Sequence, residues 1–187
     1  MLPDNQRLFK NGYDYAKRKG RQVLRQDSPG HGTDGHVWKT SIPSAIKAFY
    51  REENFFNELR CYQRLQSHGV NEICGLNVPV LEDFDDQLWV IEITFVQAPY
   101  LLDFGKATLD APPPYLVDPQ DQRRFQAEWR TEFGSRWTEV NAILHILQSK
   151  YGIYYLDPKV ANIRLSAEED DDEDWLKEPE IDYTEYD

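Results

Sequence analysis

The period of the hydrophobic pattern changes twice between residues 36 and 96, and this limits the fold more than any other feature of the chain. His36-Val37-Trp38-Lys39-Thr40 reads as a strand, Ser41-Ile42-Pro43-Ser44 as a turn, and Ala45-Ile46-Lys47-Ala48-Phe49-Tyr50 alternates with the strand period of two. The period then lengthens. Phe55, Glu58, Tyr62 and Leu65 fall at i, i+3, i+7 and i+10, one face of a helix over residues 52–67. Strand character returns in residues 78–84 and 88–96, with Asp85-Asp86 as the turn of a hairpin. A helix inserted between two strand pairs predicts an α+β unit built on an antiparallel sheet.

The flanks extend this pattern. Residues 5–20 are polar and mildly basic and predict a short helix ending at Gly20; Gln22-Val23-Leu24-Arg25 predicts a strand running into a glycine-rich turn. Composition shifts at Gln97-Ala98-Pro99, the expected hinge, and Pro112-Pro113-Pro114 predicts a rigid loop. Residues 120–149 predict one long helix, because Trp129, Phe133, Trp137, Val140, Leu144 and Leu147 recur every three or four residues; Gly152 ends it. Ile153–Leu156 and Asn162–Leu165 read as short strands, with Glu180–Tyr183 as a partner for the latter. Two lobes are therefore expected, 1–98 and 99–187, the second mostly helical and short.

Charge narrows the function classes. Of the net −12, residues 168–187 supply −11 through twelve acids and one base, which leaves −1 for residues 1–167. The body carries no basic stripe of the kind that nucleic-acid binding needs. The acidic run 168–174 reads as a solvated segment. No apolar run is long enough to cross a membrane. The first residues lack a basic region followed by an apolar stretch, so a cytoplasmic location is expected. Cys61 and Cys74 make no disulfide framework and are expected to be buried thiols.

Four groups of residues carry chemistry. Gly30-His31-Gly32-Thr33-Asp34-Gly35-His36-Val37 matches G-x-G-x-x-G-x-V, and a strand follows it rather than the helix of a dinucleotide-binding unit. Glycines permit close backbone approach to phosphates, and they serve any tight turn equally well. Ala45-Ile46-Lys47 places a lysine on the next strand. Glu58 puts a carboxylate on an apolar helix face, where an unpaired charge would be costly; Lys47 is the natural partner. Tyr155-Leu156-Asp157-Pro158-Lys159-Val160-Ala161-Asn162 sets Lys at +2 and Asn at +5 from an Asp.

In this order, over residues 20–165, the four groups resemble the protein kinase-like family. The resemblance implies an antiparallel-sheet N-lobe, a shortened helical C-lobe, and ATP and Mg²⁺ bound between them. It implies that Gly30, Gly32, Gly35 and Val37 cover the nucleotide, with Ala45, Thr94 and Val96 near the adenine. Lys47 and Glu58 would position phosphates, Asp157 would orient an acceptor hydroxyl, Lys159 would meet the γ-phosphate, and Asn162 would hold metal.

Departures from the family pattern shape the functional expectation. Tyr155-Leu156 stands where His-Arg usually precedes the catalytic Asp, and Asp34 puts an acid in the glycine loop. The string Asp103-Phe104-Gly105 precedes Asp157, whereas the metal-binding string of the family follows the catalytic loop. On chain order it reads as coincidence, and Asp182 becomes the expected second metal ligand, with Asp174 as rival. Too little chain follows Asn162 to build a peptide platform. The expected activity is phosphoryl transfer to a specific protein partner or a small molecule. The alternative is a pseudokinase, a nucleotide-binding or scaffolding module.

Overall fold

The computed structural model describes residues 4–24, 30–113 and 116–166. Asp174, Asp182, the acidic run and the Glu180–Tyr183 strand lie outside them.

In chain order the elements begin with α1 (Asp4–Arg18), β1 (Val23–Leu24), β2 (Gly30–His31), β3 (Gly35–Thr40), β4 (Ser44–Phe49) and α2 (Glu52–Ser67). Short strands β5 (Glu72–Ile73) and β6 (Leu76–Asn77) follow, then β7 (Leu81–Asp85) and β8 (Val90–Thr94). After residues 97–99 come β9 (Tyr100–Leu101), β10 (Thr108–Leu109), α3 (Pro119–Phe133), α4 (Trp137–Tyr151), β11 (Ile153–Tyr154) and β12 (Ile163–Arg164). The α+β expectation therefore stands, with strands paired antiparallel except β6 on β9, which is parallel, and with helices on both sides of residues 97–99.

The main sheet runs β1-β3-β4-β8-β7, with β2 also on β3, all antiparallel. Directly opposed residues of an antiparallel pair share a face. Val37, Lys47 and Ile91 therefore form one row, and Trp38, Ile46 and Glu92 form a row on the opposite face. Helix α1 covers the second face. Leu8, Phe9, Tyr15 and Ala16 bury themselves there against Trp38, Ile46, Ala48 and Val90. Gly12 makes the approach possible, because a Cβ there would lie 2.4 Å from the Trp38 ring. Glu92 is fully buried on this face and is satisfied by Arg21 Nε and Ser44 Oγ at 2.7 Å and Tyr15 OH at 3.1 Å. A buried carboxylate is tolerated only with such partners.

The first face carries Lys47 and receives α2. One buried cluster runs from Phe49, Phe55 and Tyr62 through Leu101 and Phe104 to Val140, Ile143, Leu147 and Ile163. The segments before and after residues 97–99 thus share a single core. Each fully buried large side chain in it contributes roughly 1.5–3 kcal/mol.

Several expectations are corrected. The predicted helix over 120–149 is two helices, α3 and α4, joined by a 3-10 turn at Gly134–Arg136. Gly134 ends α3 at φ 51°, a conformation that costs glycine little, and its N–H bonds Arg130 O. The hydrophobic recurrence ran through the break because Trp129 and Trp137 still face each other, ring centroids 6.3 Å apart. The expected strand over 78–84 starts at Leu81, and β5 and β6 form a separate hairpin before it. Cys61 is buried as expected, whereas Cys74 is exposed in the β5–β6 turn. Strand β12 pairs with β9, Ile163 opposite Leu101.

Candidate functional site

Lys47 lies at the centre of the face that α2 covers. Its Nζ donates to Glu58 Oε2 at 2.7 Å, as the helix-face argument predicts. It also donates to Asp103 Oδ1 at 2.9 Å. Burial alone would lower the Lys47 ammonium, but Glu58 and Asp103 overcome it and hold the group above its usual range. Burial pushes the Glu58 carboxyl up to about 7, against the pull of Lys47. Burial would also raise Asp103, and the Lys47 charge and hydrogen bond reverse this and leave it low. The centre is thus an ammonium shared by two carboxylates.

Asp103 reaches Lys47 through strand pairing. Antiparallel β9 and β12 set Leu101 against Ile163, and Leu102 N–H donates to Asn162 O at 2.8 Å. Residues that follow β9 therefore lie beside residues that precede β12. Asp103-Phe104-Gly105, set aside on chain order, is brought against the 157–162 loop from the opposite direction along the sequence. Asp103 holds its own turn, accepting Gly105 N–H at 3.3 Å.

Phe104 anchors the string. It is fully buried between Tyr62 of α2 and Tyr155, with ring centroids 5.3 and 5.4 Å away and near-perpendicular planes. Edge-to-face pairs of this kind add about 0.5–1.5 kcal/mol each beyond burial. Tyr155 OH donates to Leu102 O at 2.5 Å. An aromatic column thus connects the helix of Glu58, the segment of Asp103 and the loop of Asp157.

Asp157 is half-buried and carries two lysines on one oxygen. Lys106 Nζ and Lys159 Nζ both lie 3.0 Å from its Oδ2. Lys106 follows Gly105 directly, so it links Asp157 to the Asp103 segment. Asn162 Nδ2 donates to Asp157 O at 3.0 Å, which closes the loop on itself.

The glycine loop lies over this centre as the hairpin of β2 and β3. Two of its glycines have structural reasons. Gly30 has φ 84°, and a Cβ on Gly35 would fall 2.1 Å from Ala48 O. Gly32 has open space around it. Asp34 turns inward: it is 8% exposed, and Asn54 Nδ2 donates to its Oδ1 at 2.7 Å. Burial, and then the Asp103 charge, push its carboxyl above the usual range.

On the expected adenine side, Ala45 is buried beside Ile93, Val37 and Val96 are half-buried, and Thr94 Oγ1 accepts Val80 N–H at 2.9 Å. Lys47, Glu58, Asp103, Asp157, Lys159 and Asn162 are thus gathered from four regions of the chain. Asp182, the expected second metal ligand, lies outside the described residues. Sequence reasoning missed Asp103, Lys106 and Asn54. The Asp-Phe-Gly string was the one visible signal, and chain order argued against it. Among the described residues, no three His, Cys, Asp or Glu side chains converge as a ready metal cage. No described helix is long and apolar enough to cross a membrane. A cavity of about 410 Å³ lies apart from Lys47, between α3 and α4, lined by Phe125, Trp129, Leu144 and Leu156 among others.

Comparison of the chain with protein-family models and with curated proteins finds no match.

Proposed function

We propose that the cleft between the glycine loop and the 157–162 loop binds ATP with Mg²⁺, and that the chain is a minimal protein kinase-like phosphotransferase. The observation that carries this reading is the Lys47 ammonium held between Glu58 and Asp103, 2.7 and 2.9 Å away. A lysine fixed on two carboxylates is a preorganised cation beside a site where phosphate charge would be placed, and it needs no reorganisation. Mg²⁺ takes oxygen ligands and usually one or two protein carboxylates, with phosphates and water completing its shell. The oxygen donors of Asp103 and Asn162 suit it, and Asp103 replaces Asp182 as the residue of choice. Bound there, the metal would neutralise charge on the transferring phosphoryl group.

The chain's own residues have separable roles in this reading. Lys47 binds phosphate oxygens, and Glu58 orients Lys47. Asp157 accepts the acceptor hydroxyl's proton, and Lys159 exchanges its hold on Asp157 for the γ-phosphate. The acceptor is a specific protein partner or a small molecule.

A second reading, a nucleotide-responsive or scaffolding module without transfer, is favoured by one observation. Asp157 Oδ2 is already held by two ammonium groups, so an acceptor hydroxyl would have to displace them to reach that oxygen.

The test is thermal melting with and without ATP and Mg²⁺, followed by transfer from labelled ATP. Saturating ligand should raise stability by about 2.7 kcal/mol at one hundred times Kd. The rise should vanish in Lys47→Ala and shrink in Asp103→Asn and Asn162→Ala. Transfer lost in Asp157→Asn supports the enzyme. Binding without transfer supports the module. Equal binding by parent and Lys47→Ala removes the enzyme and the nucleotide-responsive module, and leaves only scaffolding.

A further inference from the structure

We propose that Asp34 closes the phosphate end of the cleft, so that the closed loop accepts a neutral nucleoside and admits a nucleotide only when the loop lifts. This rests on reading the cleft as a nucleotide site.

The geometry points inward. Asp34 ends the Gly32-Thr33-Asp34 link between β2 and β3, next to the exposed Gly32 and Thr33. Instead, it is buried and tethered to Asn54 in the first turns of α2, and its carbonyl accepts Tyr50 N–H at 3.1 Å. A Cβ on Gly105 would lie 3.2 Å from Glu58 Oε2, 3.4 Å from Asp103 Oδ1 and 3.5 Å from Asp34 Oδ2. The loop carboxylate therefore joins the two carboxylates that hold Lys47.

Charge makes this an obstacle to phosphate. Asp34, Glu58, Asp103 and Asp157 face Lys47, Lys106 and Lys159. Every one of those ammonium groups already lies on a carboxylate other than Asp34. An entering polyphosphate must share Lys47 with Glu58 and Asp103 and draw Lys159 from Asp157, and it meets Asp34 as an added negative charge, in surroundings where charges a few ångströms apart interact far more strongly than in water. Adenosine brings no such charge. Opening needs the tip to lift and Asp34 to swing out: its side-chain hold on α2 is the Asn54 hydrogen bond and the space around Gly32 is open, while the Asp34 carbonyl on Tyr50 anchors the base of the loop.

The experiment measures affinities of the full chain for adenosine, MgADP and MgATP by calorimetry, in the parent, Asp34→Asn and Asn54→Ala, with circular dichroism as the folding control. Asp34→Asn keeps an acceptor for Asn54 and removes the charge. Asn54→Ala keeps the charge and releases the tether, and it reports alone should the first variant fail to fold. In the parent, adenosine should bind tighter than MgATP. Asp34→Asn should raise MgATP affinity about tenfold or more and move adenosine affinity by less than about twofold. Asn54→Ala should shift the same ratio in the same direction by less. A ratio unchanged in both variants, with both ligands bound, overturns the gate and leaves the nucleotide reading intact. No binding of any of the three ligands by folded parent and folded variants overturns the nucleotide reading and the gate with it.

Discussion

Lys47 donates to Asp103 at 2.9 Å across 56 residues of chain, and the same ammonium donates to Glu58 from the neighbouring helix. Removing Lys47 would leave the buried Glu58 and the half-buried Asp103 without the ammonium they share. Lys47→Met should destabilise the fold by about 3–5 kcal/mol, the usual cost of breaking a buried pair from one side. Asp103→Asn should cost less, because Glu58 remains. Urea unfolding of both variants and of the double variant measures the coupling. Additive losses would show that Asp103 and Lys47 do not act as one unit.

The aromatic column has a polar flaw. Tyr62 OH is buried and has no hydrogen-bond partner among the described residues. Tyr62→Phe keeps the ring against Phe104 and removes the orphan hydroxyl, so stability should rise by about 1 kcal/mol. Phe104→Ala should lose about 3–5 kcal/mol. Denaturation midpoints at equal slope check both, and a loss in Tyr62→Phe would reveal a partner for the hydroxyl.

Gly12 inverts the usual rule for helices. Alanine ordinarily stabilises a helix interior by up to about 1 kcal/mol over glycine. Here the added methyl would meet the buried Trp38 ring at 2.4 Å. Gly12→Ala should therefore destabilise the protein by about 1–3 kcal/mol through overpacking. A rise in melting temperature would mean that α1 sits looser on the sheet.

One surface link is pH-dependent with a definite sign. Arg64 of α2 grips both oxygens of Asp110 at 2.9 Å and also donates to Tyr151 O at the end of α4. The Arg64 hydrogen bond holds the Asp110 carboxyl below its usual value of 3.8. A depressed carboxylate stabilises the fold above its unfolded pKa and loses that contribution as pH falls through the folded one. Asp110→Asn should be less stable than the parent at pH 7, and the two should converge in acid below pH 3.8. Unfolding curves across this range test it; a difference that persists in acid would assign the effect to packing.

The elements before the hinge were legible because each declares its own period. The helix over residues 52–67 agrees at both ends with α2, and Glu58 on its apolar face required a cation, which Lys47 supplies. The break between α3 and α4 was not legible from hydrophobic recurrence, since Trp129 and Trp137 stay on one side of it while Gly134 turns the backbone. For the candidate site, the 157–162 loop and Lys47 stood out through their resemblance to protein kinase-like motifs.

What the amino-acid order determined alone was therefore local: strand and helix periods, the capping glycine at 152, and the need of a buried Glu58 for a partner. What tertiary structure decided was which distant segments meet. The antiparallel pairing of β9 with β12 set Asp103 beside Asn162, although chain order argued against it. The Asn54 hydrogen bond turned Asp34 inward, although nothing in the turn's sequence specifies its direction. The physical reason is the same in both cases. Periodicity and turn chemistry are properties of neighbouring residues, whereas a strand partner or a buried charge's counter-ion is chosen by the free energy of the whole core.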